Sequence, residues 1–555
     1  MTSLSQTTSL GPNHERHSMP LMQERQTRSL EMLEPFILSF LAFLMALSGG
    51  VYLAFVLHVI NSDALTRVLN AYYTIFSPKF HLAAMGFVWN PLPSIVELPI
   101  VLFHHWFPAL ITDGFAANLM SSVSSAFGMY FLNRILFYVG IPRFWRIVYS
   151  LIYALNPLIW LYSSNGMSEA MMIATMLGAL HGAVRYLDDG RHSHLISAGL
   201  WLAACFGARY EAVPFGALVG LALLLALYLK GYSASRIQAD LIVAGLPLIF
   251  AGLVWVFLNW TIMGNPLYFM NSAYSNASQI GTGSYNDKLI LRDAHHLFYS
   301  LQTVAHFSFL FPPAIVGLAG ALLVFAFSKK RRGQALLFVA ALLTIPLFQV
   351  VMIYKHASAI WSRFFITYIP FGILLVALLM VVIAKGPWLV RHFLLLVSAA
   401  VLLGGNYVTF HEIQTPIMGK GVTKNFAHVV EGLPASQAAQ NNGMTQGKIV
   451  ANYINEHPHL VVLLDTFDSF SVVPFIKDPK QVVITSDLNF QSLLLNPRGR
   501  VSDFLVPNPG GVGALDAINR TYPGLWQGKV AWAKETKQFS GNLGYKLFSI
   551  GSSAP

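Results

Sequence analysis

PFILSFLAFLMALSGGVYLAFVLHVINSDALTRVLNAYY, residues 35–73, decides the architecture of this 555-residue chain. Its first part, 35–60, is a long apolar run that exceeds the roughly 20 residues an α-helix needs to cross a bilayer. No small-residue cleavage site follows, so the run reads as a retained signal-anchor helix rather than a removed leader. Directly after it, Asp63 places a carboxylate where lipid gives way to water. Such a group is either a solvated helix cap or part of a site, and the rest of the chain has to distinguish the two.

Composition agrees with a polytopic α-helical membrane protein. Hydrophobic residues make up 55% and charged residues only 11%, whereas a soluble domain carries roughly a quarter charged. The net charge of +11 does not point to nucleic acid, because Lys and Arg sit in short clusters between apolar segments, which is the pattern of membrane topology. The single cysteine, Cys205, excludes an intramolecular disulfide and a CxxC metal site.

Outward from the first span, residues 1–34 are polar and read as a disordered cytoplasmic tail. In the other direction, apolar runs at 116–139, 147–162, 170–186, 195–208, 213–229, 241–262, a stretch ending at 329–332, 335–353, 365–384 and 393–407 predict about 11 transmembrane helices within a domain spanning 35–408. The basic clusters fall on every second connection, which puts the N-terminus in the cytoplasm and Asp63 outside it. From 409 to 555 the composition becomes that of a soluble domain. VVLLD (461–465), QVVIT (481–485) and SDFLV (502–506) alternate with helix-like GKIVANYINEH (447–457) and GALDAINRTY (513–522), predicting a C-terminal extracytoplasmic α/β domain with a mostly parallel sheet. Asp465 lies at the carboxyl end of the first of these strands, but with no glycine-rich phosphate loop beside it a turn or cap role is the simpler reading.

This topology puts polar side chains from separate segments at similar depth on one side: Asp63, Arg67, His81, Asn90 and Glu97, then Glu169, then Arg209 and Glu211, then Lys355, His356 and Arg363. Alone, each cation at a span end is an interfacial anchor. Together, carboxylates among several Arg and Lys suit acid–base chemistry on a phosphate-bearing substrate, because guanidinium binds phosphate oxygens in bidentate fashion. No Walker A loop, HExxH site or GxSxG elbow is present, which excludes ATP hydrolysis, zinc proteolysis and triad hydrolysis of those types. His81, His104 and His105 match no metal-ligand spacing and read as packing residues.

In their order and sidedness, NSDALTRVLNAYY (61–73), WNPLPSIVELP (89–99), SNGMSEAMM (164–172), ARYEA (208–212), NWTIMGNPLYF (259–269) and WSRFFITYIPF (361–371) resemble the GT-C superfamily of polyprenyl-phosphate-sugar-dependent membrane glycosyltransferases, of the protein mannosyltransferase and aminoarabinose transferase type. The similarity covers roughly 37–384. The chain departs from the family with Ala64 where many relatives have a second acidic residue, and with Asn90 where many have His. The resemblance implies a multi-pass protein of the cell membrane that transfers a sugar, with inversion, from a polyprenyl-phosphate donor to a hydroxyl of a lipid, protein or polysaccharide acceptor on the extracytoplasmic side. It implies Asp63 as general base and Arg363, Lys355 and Arg209 on the lipid phosphate. Asn90, Glu97, Glu169, Glu211 and His356 are the further substrate-binding candidates. It also leaves room for a divalent cation, although Ala64 removes one of the two adjacent carboxylates that would bridge it. A transporter or flippase of a lipid-linked or anionic solute is the alternative; it would call for internal repeats and polar groups near the bilayer midplane, and the spans show neither.

Overall fold

The structure is a computed structural model that describes residues 18–283, 288–419, 443–541 and 544–554, with side chains from residue 31 onward. Every apolar run read from the sequence is helical. Among the described residues, seven helices are long and apolar enough to cross a membrane: Glu31–Val56, Glu169–Asp189, Ala212–Leu229, Ala234–Met263, Lys329–Tyr354, Ser362–Ile383 and Trp388–Glu412. Two bent pairs raise the number to nine at most, Arg143–Ala154 with Pro157–Ser164 at 65° and Leu297–Leu310 with Pro313–Phe327 at 98°. Both bends fall at proline, which removes a helical hydrogen bond and turns the preceding residue away from helical geometry.

Among the described residues, nine of the eleven expected spans thus pass by length and composition, counting each bent pair as one. The remaining runs form the helices Phe115–Val139 and His192–Ala208. The first of these is rich in buried serines that bond back to their own helix, as Ser122 Oγ does to Asn118 O at 2.7 Å and Ser124 Oγ to Met120 O at 2.8 Å. Such hydroxyls face protein, and a reading by run length does not weigh them. The second is only 17 residues long. The first helix, Ser18–Val51, begins within residues 1–34, and the last of the bundle, Trp388–Glu412, runs past 408.

The basic clusters gather at one end of the bundle. There Glu34 meets Arg143 and Arg146, Arg331 Nη1 donates to Tyr138 O at 3.2 Å, and Lys230 Nζ donates to Leu187 O. Asp63 lies at the other end, on the amphipathic helix Ser62–Phe76. Gly166 seats the helix Glu169–Asp189 beside it. This glycine holds φ at +78°, and a Cβ there would lie 2.6 Å from Ala117 Cβ and 3.2 Å from Ala64 Cβ, so only glycine permits the approach.

The C-terminal domain carries a five-stranded sheet in the order β2-β1-β3-β5-β4, with β1 Val462–Leu464, β2 Val482–Ile484, β3 Asp503–Pro507, β4 Ala533–Phe539 and β5 Tyr545–Ile550. β1 pairs in parallel with β2 and β3, whereas β5 pairs antiparallel with β3 and β4. The sheet is thus mixed rather than mostly parallel. The antiparallel edge strand β4, AKETKQF, is largely exposed, so it carries no apolar burst by which it could be recognised. Asp465, just past β1, is fully committed. Its Oδ1 accepts from Phe467 N at 2.9 Å and Thr485 Oγ1 at 2.8 Å, and its Oδ2 from Ala517 N at 2.7 Å and the Tyr274 hydroxyl at 2.8 Å. It shapes the turn and ties the domain to the connection that follows Ala234–Met263.

Candidate functional site

Asp63 occupies the first turn of its helix, where a carboxylate is favoured by the backbone N–H groups. It is not the cap, since Asn61 holds that position without a side-chain cap bond. Its partner is 300 residues away: Arg363 Nη1 donates to Asp63 Oδ2 at 3.1 Å. The 3₁₀ turn Ser362–Phe365 presents Arg363 just ahead of a span, and Ser362 Oγ anchors that turn by donating to Met418 O at 2.6 Å. The guanidinium of Arg363 lies over the Trp361 ring at 4.3 Å and within 5.5 Å of the Phe364 centroid, packing that fixes its plane.

From Arg363 the cluster extends inward. Arg363 Nε is 3.8 Å from Glu169 Oε1, the first residue of its helix and wholly buried. The same oxygen accepts from Arg209 Nη1 at 2.9 Å. Arg209, extended at the end of His192–Ala208, turns its other edge to Glu211, whose Oε1 accepts from Nε at 3.0 Å and Nη2 at 2.7 Å. Two acids and two guanidiniums from four distant parts of the chain therefore share one chain of contacts, and Glu211 closes it.

Arg67 stands one turn beyond Asp63. It is 7% exposed, and its Nε and Nη1 are buried without a hydrogen-bond partner among the described residues, while its guanidinium lies 4.9 Å from the Trp89 ring centroid. Glu97 is completely buried and neither of its oxygens is hydrogen-bonded. Glu169 Oε2 and Arg363 Nε are also unpartnered.

Burial works against ionisation of Asp63, but the positive charges of Arg363, Arg67 and Arg209 outweigh it and hold the carboxyl below the usual carboxylate range. Glu211 is lowered too, because Arg209 overcomes the cost of its burial. Glu97 goes the other way: desolvation, opposed only by Arg67, pushes it well above the usual range and favours the neutral acid. The site thus presents an ionised carboxylate whose side chain is 36% exposed, above cations that are themselves nearly buried.

Of the residues expected to converge, the structure brings together Asp63, Glu169, Arg209, Glu211 and Arg363, and sets Glu97 behind Arg67. It does not do so for the others. Asn90 spends its amide on Phe206 O at 2.6 Å, which ties the segment before the helix Leu92–Val101 to the end of His192–Ala208. Lys355 is exposed at the end of Arg332–Tyr354 and pairs with none of these carboxylates among the described residues. His356 sits in a left-handed turn at φ +51°. The apolar sequence around each of these residues gave no sign of which way its side chain turns. The aromatic rings that frame the guanidiniums, Trp89, Trp361 and Phe364, were not singled out from sequence; their adjacency to Asn90 and Arg363 was the available signal.

The carboxylates do not fit a divalent cation. Asp63, Glu169 and Glu211 already face guanidiniums, and no group of three or more His, Cys, Asp or Glu is disposed to hold a metal among the described residues.

No family model matches the chain, and no curated protein matches it. Among solved structures, it is similar to ArnT from Cupriavidus metallidurans in the apo state, at 12% identity and a TM-score of 0.49, covering 96% of this chain and 99% of that one. The same protein bound to undecaprenyl phosphate gives 11% identity, a TM-score of 0.49 and the same coverage. The archaeal oligosaccharyltransferase AglB from Archaeoglobus fulgidus, in complex with an inhibitory peptide and a dolichol-phosphate, gives 11% identity and a TM-score of 0.46, covering 94% of this chain and 74% of that one.

Proposed function

We propose that this chain is an integral membrane glycosyltransferase of GT-C type that transfers a sugar from a polyprenyl-phosphate donor to an acceptor hydroxyl on the extracytoplasmic side. The observation that carries the reading is the contact of Asp63 with Arg363 at 3.1 Å, which joins the ends of two segments on the sequence resemblance at one bundle end. Asp63 is the general base. The acceptor oxygen forms a bond to the anomeric carbon as the bond from that carbon to the phosphate oxygen breaks. The hydroxyl proton passes to Asp63, and the electron pair leaves with the polyprenyl phosphate. Attack opposite the leaving group inverts the anomeric centre.

The leaving phosphate needs charge stabilisation more than protonation, and preorganised guanidiniums supply it at low cost in reorganisation. Arg363 can serve both partners in turn, since a phosphate that takes up its fork releases Asp63 from the resting ion pair. Arg67, with two unpartnered nitrogens, is a second cation available to the same anion. Arg209 is already divided between Glu169 and Glu211 and holds the frame instead. Glu169 fixes the guanidiniums.

The test is incubation of the purified full chain with a panel of polyprenyl-phosphate sugars, with donor cleavage read by mass spectrometry. Release of polyprenyl phosphate by the unaltered chain and its loss on Asp63→Asn, with the folded protein retained, is the expected result. Undiminished turnover by the Asp63→Asn variant would overturn the assignment of the base, and absence of cleavage with every donor would overturn the reaction class.

A further inference from the structure

We propose that the cavity at the bundle end opposite Asp63 binds the phosphate head group of an anionic glycerophospholipid. The cavity has a volume of about 300 Å³, at the lower end of the range for ligand pockets. Ile141 and Pro142, just past Phe115–Val139, form one wall with Met380 and Leu395, and Lys385 and Arg391 supply the charge. The 16-residue helix Tyr368–Ile383 separates it from Arg363, which at 1.5 Å per residue is about 24 Å. It is therefore a separate place from the Asp63 cluster.

Three observations point to a lipid. First, no acidic side chain lines the cavity, and the exposed side chains of Lys385 and Arg391 make no ion pair or hydrogen bond among the described residues. Two cations without a counter-ion, set on an apolar wall, ask for an anion that also carries apolar mass. Second, the helix that begins beside them, Trp388–Glu412, exposes Trp388 by 70%, Leu389 by 71% and Phe393 by 62%. Those side chains suit acyl chains and the interfacial belt where tryptophan concentrates. Third, this is the end where the chain gathers its basic clusters, so the surrounding field favours an anionic leaflet; basic pockets between spanning helices at such a face receive phosphate head groups. Arg331, which reaches within 3.4 Å of where a Cβ on Gly140 would lie, is already bonded to Tyr138 O and Gln334 Oε1 and does not compete for the ligand. A free phosphate would use the cations and leave the apolar wall and rim unused. A zwitterionic lipid would bring its own cation against Lys385 and Arg391.

The experiment is native mass spectrometry of the purified full chain in neutral detergent, titrated with phosphatidylglycerol, phosphatidylcholine or soluble glycerol phosphate. Phosphatidylglycerol is expected to remain bound at a saturable site, phosphatidylcholine and glycerol phosphate to bind far less. Lys385→Gln with Arg391→Gln should weaken phosphatidylglycerol by about 30-fold, at roughly fivefold per charge removed. The same change at Lys329 and Lys330, exposed cations of the same face, should leave it bound. Thermal unfolding confirms that each variant is folded, and the single variants replace the double one if it is not. Equal weakening by the Lys329 and Lys330 changes would reduce the effect to a diffuse basic face and overturn the site. So would unaltered binding in the Lys385 and Arg391 variant, or equal affinity for glycerol phosphate.

Discussion

Two buried ion clusters stand at opposite ends of the bundle, and they are bonded differently. Around Glu34, which is 4% exposed, every carboxylate position is filled. Oε1 accepts from Arg146 Nε at 2.6 Å and Asn133 Nδ2 at 2.9 Å, and Oε2 from Arg146 Nη2 at 2.7 Å and Arg143 Nε at 3.1 Å. Around Asp63 the bonding is incomplete: Glu169 Oε2, Arg363 Nε, two nitrogens of Arg67 and both oxygens of Glu97 are buried without a hydrogen-bond partner among the described residues. Buried polar groups are normally paired, because an unmade bond costs the desolvation of the group. Saturation marks a pin that holds the first helix to the Arg143–Ala154 helix. Incomplete pairing among charged residues marks a place prepared for something the chain does not itself supply.

Asp63→Asn should lower turnover by about 10²–10⁴-fold, the range for loss of a general base, while thermal unfolding of the purified protein stays close to that of the parent. Glu34→Gln should do the reverse. Removing the carboxylate leaves Arg146, itself 3% exposed, as an uncompensated buried charge, a loss of about 3–5 kcal/mol. Unfolding should shift strongly, with turnover per folded molecule unchanged. If both variants behaved alike, saturation would have no bearing on function.

How much of this was legible in the sequence follows the same division. The helical segments could be read because apolar runs report burial in lipid directly. That Asp63 belonged with Glu169, Arg209, Glu211 and Arg363 followed from alternating basic clusters, which set the ends of helices at a common depth. Depth alone does not give azimuth. Lys355 lies in the same connection as Arg363, yet it faces outward, because Arg332–Tyr354 ends before the chain turns back through the Ser362–Phe365 turn. β4 was invisible because an exposed edge strand has no apolar signature.

Arg363 offers a finer test. With its charge beside Asp63, the carboxyl is held below the ordinary range, so it stays ionised as the pH falls through the ordinary value and loses activity only below it. The acid limb of kcat/KM for the parent should therefore lie below that of a free aspartate, since kcat/KM reports the unliganded enzyme. Arg363→Gln removes the strongest opposing charge and should move the limb to higher pH. The depressed carboxyl also adds stability that is present at neutral pH and is lost as pH falls through its folded value, so acid unfolding of the variant should begin with less stability to lose. A limb that did not move would separate Asp63 from the proton transfer even if Asp63→Asn were inactive.

Asn90 sharpens the comparison at its smallest scale, because it stands among site residues yet is bonded in the manner of the Glu34 pin. Its Nδ2 is committed to Phe206 O at 2.6 Å, and the residue is 5% exposed. If saturation is what distinguishes a holding residue from a working one, Asn90→Ala should cost about 0.5–1.5 kcal/mol of stability, the usual worth of such a bond, and leave KM for the donor near the parent value. Any fall in kcat should then be modest and should track the altered seat of Trp89 and, through it, Arg67. A large rise in KM without a change in unfolding would instead give the Asn90 amide a direct contact with substrate. It would also show that a side chain bonded in the resting state can still be released to work, as Arg363 must be when it leaves Asp63 for a phosphate.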